Sequence, residues 1–166
     1  MTIKVLVVDD SLFMRKLISD MLNSDEEIKV IDTARNGEDC LEKLKTIKPD
    51  VITLDLIMPG KGGLEALKEI MAEHPIPTVM FSAYTSKDAD ITIKCLRDGA
   101  VGFVLKPSGA VSLDVAKVRE ELLKEIKIAV TVSVRKIKSL LGWDWAKLEN
   151  VFAKEVFIDP FGAYIT

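Results

Sequence analysis

Apolar residues along this chain follow two alternating rhythms. Ile3-Lys-Val-Leu-Val-Val8, Val51-Ile-Thr-Leu54, Thr78-Val-Met-Phe-Ser82 and Val101-Gly-Phe-Val-Leu105 are short, nearly continuous apolar runs, as expected of strands buried on both faces of a parallel sheet. Ile28-Lys-Val-Ile-Asp-Thr33 alternates more, which predicts a strand near a sheet edge. Between these runs the apolar residues recur at three- and four-residue spacing, the stripe of an amphipathic helix. The stripes are Phe13, Met14, Leu17, Ile18, Met21 and Leu22, then Cys40, Leu41, Leu44 and Ile47, then Leu64, Leu67, Ile70 and Met71, then Ile91, Cys95 and Leu96. A fifth stripe, Val118, Leu122, Leu123 and Ile126, opens a helix that could continue towards Leu141, with Gly142 beyond it. A helix from Ser112 to Leu141 is roughly 45 Å long at 1.5 Å per residue, so it is expected to bend, break or pair with another chain.

The residues between the elements agree with this division. Ser11, Ser86 and Ser112 open helices, Asn36-Gly37 reads as a turn, and Pro49 and His74-Pro75-Ile-Pro77 stop helices. Arg97-Asp98-Gly99 closes the fourth helix with a cation and then a glycine. Pro59, Gly60, Gly62 and Gly63 break the chain after the third strand. Strands alternating with helices predict an α/β fold, a doubly wound five-stranded parallel sheet of order 2-1-3-4-5, because right-handed crossovers leave few other topologies. Residues 1–130 form one domain in this reading, and 131–166 a linker or helical, aromatic-rich extension. The extension carries Trp143, Trp145, Phe152, Phe157, Phe161 and Tyr164. Such residues need something to pack against, the first domain or a partner chain, so a homodimer through this extension is one expectation.

The polar residues that end the strands carry the chemistry. Asp9 and Asp10 end the first, Asp55 the third, Ser82 the fourth and Lys106 the fifth. Taken alone, Asp55 is equally readable as a cap for the helix that follows. In the expected order, strands one and three are neighbours where the winding reverses, so the three acids should converge there, with Ser82 and Lys106 approaching from the side. Three converging carboxylates repel unless a cation neutralises them, and hard oxygen ligands select Mg²⁺ or Ca²⁺. Octahedral coordination at about 2.1 Å with retained waters suits Mg²⁺. An Asp55 oxygen can then attack phosphorus, while Lys106 and the Ser82 hydroxyl take up phosphoryl charge.

Composition narrows the alternatives. With 166 residues, 48% of them hydrophobic and 30% charged, and a net charge of −3, the chain has no electropositive stripe for nucleic acid or membrane surfaces. No apolar run approaches the ~18 residues of a membrane span, and the N-terminus enters a strand without a signal peptide, so a cytoplasmic location is expected. Cys40 and Cys95 fall within helical stripes and read as core residues. The single histidine, His74, lies in a helix-ending turn, which disfavours histidine zinc sites and a Ser-His-Asp triad.

Val8-Asp9-Asp10-Ser11, Leu54-Asp55-Leu-Ile-Met-Pro59, Phe81-Ser82-Ala83 and Phe103-Val-Leu-Lys106-Pro107 resemble the motifs of two-component response-regulator receiver domains over roughly residues 1 to 130. The resemblance implies a flavodoxin-like receiver fold, Asp55 as phosphoacceptor from a histidine kinase, and Mg²⁺ held by Asp9, Asp10, Asp55 and the Ile57 main-chain carbonyl. It also implies Ser82 as switch hydroxyl, Lys106 as phosphate contact and a cis peptide before Pro107. Ile52-Thr-Leu-Asp55 and Gly99-Ala-Val-Gly-Phe-Val-Leu-Lys-Pro-Ser-Gly-Ala-Val-Ser-Leu-Asp114 are similar to the receiver half of chemotaxis protein-glutamate methylesterases (CheB type). In that family the receiver controls a methylesterase domain. This chain has no glycine-flanked serine nucleophile, so the resemblance implies a fragment, or a variant without the enzyme, acting on an attached or separate output domain.

Two departures stand out. Phe103 stands where many receivers carry a switch tyrosine, and is either a switch without a hydroxyl anchor or a plain core residue. Ile57 is apolar where a water-directing side chain would speed loss of the phosphoryl group. A stand-alone chemotaxis-type receiver acting by protein binding is the alternative function. An aspartyl phosphatase is disfavoured because Ile57 occupies the place of its second acid. A DNA-binding output is disfavoured because residues 142–166 are few and acidic. The lysines from Lys124 to Lys138 read as a solvated helix face.

Overall fold

A computed structural model of the chain describes residues 1–83, 89–107 and 112–132. Five strands, β1 (Ile3–Val8), β2 (Ile28–Ala34), β3 (Val51–Leu54), β4 (Thr78–Ser82) and β5 (Gly102–Leu105), form one parallel sheet of order β2-β1-β3-β4-β5. The doubly wound order and the edge position of β2 follow the sequence expectation. Helices α1 (Leu12–Asn23) and α5 (Ser112–Ala129) cover one face, and α2 (Gly37–Leu44), α3 (Gly63–Glu73) and α4 (Ala89–Arg97) cover the other.

Each face has its own core. Ile18, Met21 and Leu22 of α1 and Leu122 and Ile126 of α5 pack on Val5, Val7, Val51, Val79, Phe81 and Val104. Cys40 and Leu44 of α2, Leu67 and Ile70 of α3 and Cys95 of α4 pack on Leu6, Ile52, Leu54 and Met80. Alternate residues of one strand thus feed opposite layers, which is why these runs are nearly all apolar. Burial pushes the Cys40 thiol up to about 12 and the Cys95 thiol up to about 11, so both behave as core residues. Among the described residues no helix is long and apolar enough to cross a membrane.

Several local expectations need correction. Asn36-Gly37 is the start of a helix: Asn36 caps α2, its Oδ1 accepting the Asp39 N–H at 2.8 Å. The α2 helix stops at Leu44, and Ile47 follows the turn at Lys45 and Thr46, still packed against the core. Phe13 is 72% exposed, not part of the α1 core face, and Leu96 of α4 likewise lies outside its helix's buried face. The long fifth helix ends at Ala129, where the β-branched run Val130-Thr131-Val132 begins and the Thr131 hydroxyl donates to the Ile128 carbonyl at 2.7 Å, competing with helical pairing. Lys127 is not merely solvated: its ammonium pairs with Asp25 at 2.8 Å and Glu27 at 3.4 Å, tying α5 to the loop before β2. No peptide bond among the described residues is cis, so the bond before Pro107 is trans; X–Pro isomers differ little in energy, and packing rather than sequence selects one. The expected helix opening at Ser86, the Ser108-Gly109 run and the aromatic extension lie outside the described residues.

Candidate functional site

Strand register brings the acids together. Val8 pairs with Leu54, so the chains leave β1 and β3 side by side, with the Asp55 N–H donating to the Val8 carbonyl at 3.0 Å and the Asp9 N–H to the Ala34 carbonyl at 3.0 Å. Across the sheet Ser82 pairs with Leu105, and the Lys106 N–H donates to the Ser82 carbonyl at 2.8 Å. All these residues therefore stand on the carboxyl edge of one sheet.

The side chains meet there. Carboxylate oxygens of Asp9, Asp10 and Asp55 lie within 4.8 Å of one another. The Lys106 ammonium bridges two of them, 2.7 Å from Asp9 Oδ2 and 3.0 Å from Asp55 Oδ2. Asp9 is fully buried and Asp55 is 4% exposed, whereas Asp10 is exposed. The Ser11 N–H donates to Asp9 Oδ1 at 2.9 Å, which fixes that carboxylate in a local turn.

Electrostatics follow from burial. Desolvation raises the Asp55 carboxyl above its ordinary 3.8; the Lys106 ammonium opposes this and the Asp9 charge adds to it. Desolvation pulls the Lys106 ammonium down, but the two carboxylates outweigh it and hold the group above the ordinary lysine value, so it stays a cation. Ser82 Oγ is buried and has no hydrogen-bond partner among the described residues. A buried hydroxyl left so costs about 1–3 kcal/mol, and an incoming acceptor oxygen would recover it.

Not every predicted residue sits inside this cluster. Ile57 is 57% exposed beside the pocket, and its N–H makes a long contact of 3.4 Å to Asp55 Oδ1. Phe103 is 7% exposed on β5, within the core layer that α2, α3 and α4 share. Two features go beyond the sequence expectation: Arg15, which it did not single out, and Gly63, which it placed in the loop and which is the first residue of α3. Arg15 of α1 donates from Nη1 to the Asp9 carbonyl at 2.8 Å; a cation one helical turn past the cap was its only signal. Gly63 opens α3 so tightly under the β3 end that its N–H donates to the Leu56 carbonyl at 2.9 Å. The loop between is fastened by Lys61, whose ammonium lies 2.6 Å from the Glu69 carboxylate.

Hard oxygens from three acids around one point are the donor set of a divalent cation such as Mg²⁺, and the residues fit such an ion.

Comparison with known proteins agrees with this geometry. Residues 5–118 match the family model described as response regulator receiver domain. The chain is 53% identical over 133 residues to a protein-glutamate methylesterase/protein-glutamine glutaminase of Bacillus licheniformis, covering 80% of this chain and 37% of that protein. A protein of the same name from Bacillus subtilis is 48% identical over 134 residues, covering 81% of this chain and 38% of its own length. Among solved structures, the response regulator domain of Thermotoga maritima CheB superposes with a TM-score of 0.74 at 46% identity, covering 80% of this chain and 99% of that one. A Borrelia burgdorferi CheX-CheY-BeF3-Mg complex gives a TM-score of 0.66 at 31% identity, covering 79% of this chain and 90% of that one. The chain thus spans well under half the length of these curated relatives, and the family match over residues 5–118 includes Asp9, Asp10, Asp55, Ser82 and Lys106. Fold, site geometry and relatives together make this chain a member of the response regulator receiver domain family, of the kind found in CheB protein-glutamate methylesterases.

Proposed function

We propose that the chain is the phosphoacceptor receiver of a chemotaxis two-component system, taking a phosphoryl group onto Asp55 from a histidine kinase. The observation that carries this reading is the Lys106 ammonium held between Asp9 and Asp55, with the Asp10 carboxylate beside them. In the transfer an Asp55 carboxylate oxygen attacks phosphorus, the nitrogen–phosphorus bond of phosphohistidine breaks, and the electron pair leaves with the imidazole. Mg²⁺ held by Asp9, Asp10, Asp55 and the Ile57 main-chain carbonyl would supply positive charge to the phosphoryl oxygens. Lys106 moves its charge from the Asp55 carboxylate to a phosphoryl oxygen, and the Ser82 hydroxyl, which has no partner among the described residues, donates to another. Movement of Ser82 would relax the packing around Phe103 on the adjacent strand, which turns without a hydroxyl to anchor it.

The rim of the pocket supports a protein donor. Leu12 and Phe13 follow the acids after Ser11 and are 74% and 72% exposed, and the exposed Ile57 lies two residues past Asp55. Apolar side chains so exposed around a charged pocket suit a partner that excludes water as it docks.

Residues 1–130 act as the receiver and 131–166 as linker or extension in this reading. The output is a methylesterase domain, attached or separate, as the names of the longer relatives suggest. The location is cytoplasmic. This chain alone is not expected to hydrolyse methyl esters. The test is intact mass after incubation with Mg²⁺ and a small phosphodonor: one phosphoryl group gained supports the reading, and no gain sinks it.

Ile57 should also make the phosphoryl group long-lived. An exposed aliphatic side chain beside Asp55 gives an attacking water no hydrogen-bond acceptor. Ile57→Asn is expected to shorten the phosphorylated half-life by about tenfold or more, within the usual range for a group that orients a reactant. Equal half-lives in the two proteins would refute this role for Ile57.

A further inference from the structure

Asp10 is exposed, yet one of its carboxylate oxygens lies within 4.8 Å of those of buried Asp9 and Asp55. Like charges at that spacing repel, and an exposed side chain is free to turn towards water. The backbone beneath it is held at three points. The Asp9 N–H donates to the Ala34 carbonyl at 3.0 Å, and the Ser11 N–H donates to Asp9 Oδ1 at 2.9 Å. The third is the carbonyl of the Asp9–Asp10 peptide itself, which accepts from Arg15 Nη1 at 2.8 Å.

Arg15 is itself well anchored. Its N–H donates to the Ser11 carbonyl at 2.9 Å, and Ser11 caps the same helix by accepting the Met14 N–H at 3.2 Å. A planar guanidinium loses little freedom per hydrogen bond formed, so it fixes a carbonyl direction better than a lysine would. Rotation of the Asp9–Asp10 peptide would swing the Asp10 Cα–Cβ bond away from the pocket.

We infer that Arg15 is a positioning residue of the acidic pocket: by holding the Asp9–Asp10 carbonyl it aims the Asp10 carboxylate at the site of the divalent ion. This rests on the phosphoacceptor reading for its purpose, though not for its geometry. The competing role, a charge that merely neutralises the acids, predicts the opposite sign. A guanidinium beside a cation site repels the cation, so a purely electrostatic Arg15 would weaken ion binding and its removal would strengthen it. A positioning Arg15 strengthens ion binding, as outer-shell partners of metal ligands do, at about 10- to 100-fold in affinity.

The test uses the whole chain in two measurements. In Mg²⁺ titration calorimetry, Arg15→Met is expected to bind about tenfold or more weakly than wild type, and Arg15→Lys to recover part of the loss. Lys16→Met, which removes a cation paired with Asp20 on the exposed face of α1, should bind as wild type does. In the metal-free protein, amide hydrogen exchange at Asp10 and Ser11 should quicken in Arg15→Met while the amides of β3 and β4 keep their protection. Mg²⁺ binding in Arg15→Met that is unchanged or tighter overturns the inference, as does unchanged exchange at Asp10 and Ser11. If wild type bound no Mg²⁺ at all, the phosphoacceptor reading would fall, and the exchange comparison would still decide whether Arg15 holds this peptide.

Discussion

Asp55→Asn is expected to take up no phosphoryl group from a small phosphodonor with Mg²⁺, while folding as stably as wild type or more so. The first half follows from chemistry, since an amide offers phosphorus no anionic oxygen. The second follows from burial: Asp55 is 4% exposed, and desolvation is the main cause that raises its carboxyl above 3.8. The sign is then set. A carboxyl whose folded pKa is raised contributes stability while protonated, below its unfolded value, and that contribution is lost as pH rises through the folded pKa. In the metal-free state the stability advantage of Asp55→Asn should therefore be smallest near pH 4 and grow as pH rises, until Asp55 is fully ionised. Denaturant unfolding of both proteins across that range measures it. An advantage that shrinks with rising pH would mean that Lys106 outweighs desolvation at this site. Phosphoryl uptake that survives the substitution would end the phosphoacceptor reading.

The second large effect is expected at Gly63. A Cβ there would stand 2.1 Å from the Asp55 carbonyl oxygen and 2.7 Å from Leu56 Cα, both backbone atoms that cannot swing aside. Gly63→Ala must therefore push α3 away from the end of β3, where Leu67 and Ile70 are fully buried. Overpacking of this kind costs about 3 kcal/mol, which for a chain of this size lowers the thermal midpoint by about 6–12 °C. The neighbouring Gly62 is the control: its Cβ would meet nothing nearer than the Leu56 carbonyl at 3.8 Å, so Gly62→Ala should cost under about 1 kcal/mol as a weaker cap. Equal midpoints for the two variants would show that the approach of α3 to β3 yields without strain. Because the same loop carries Ile57 beside Asp55, Gly63→Ala should slow phosphoryl uptake even at temperatures where it remains folded.

The sheet was legible in the chain because its signal is local. A strand buried on both faces must be apolar or β-branched at nearly every position, and a helix packed on it must be apolar at every third or fourth; Val51 to Leu54, with only Thr53 carrying a hydroxyl, and Leu64 to Met71 satisfy those conditions whatever lies elsewhere. Local reading was weaker where one residue serves two purposes. Asn36 reads as a turn former and as a helix cap with equal ease, and only the Asp39 N–H placed against it decides. Phe13 fits the helical spacing yet lies on the solvent side of α1, since spacing gives a stripe its period and not its width. The end of α5 at Ala129 was equally out of reach, because the apolar positions continue past it.

By itself, the chain determined five strands, their parallel order and the polar residues that end four of them, since right-handed crossovers and buried strands allow little else. That order already set the acid-bearing ends of strands one and three side by side, with Ser82 and Lys106 approaching; only the tertiary structure decided which atoms pair there. Register sets Val8 against Leu54 and so Asp9 beside Asp55, the β4–β5 pairing brings Lys106 between them, and Arg15 reaches back across a turn to the carbonyl between two acids. The physical reason is range: hydrophobic periodicity is written within a few neighbouring positions, whereas an ion pair or a close backbone approach joins residues far apart in sequence, whose distance exists only once the sheet has formed.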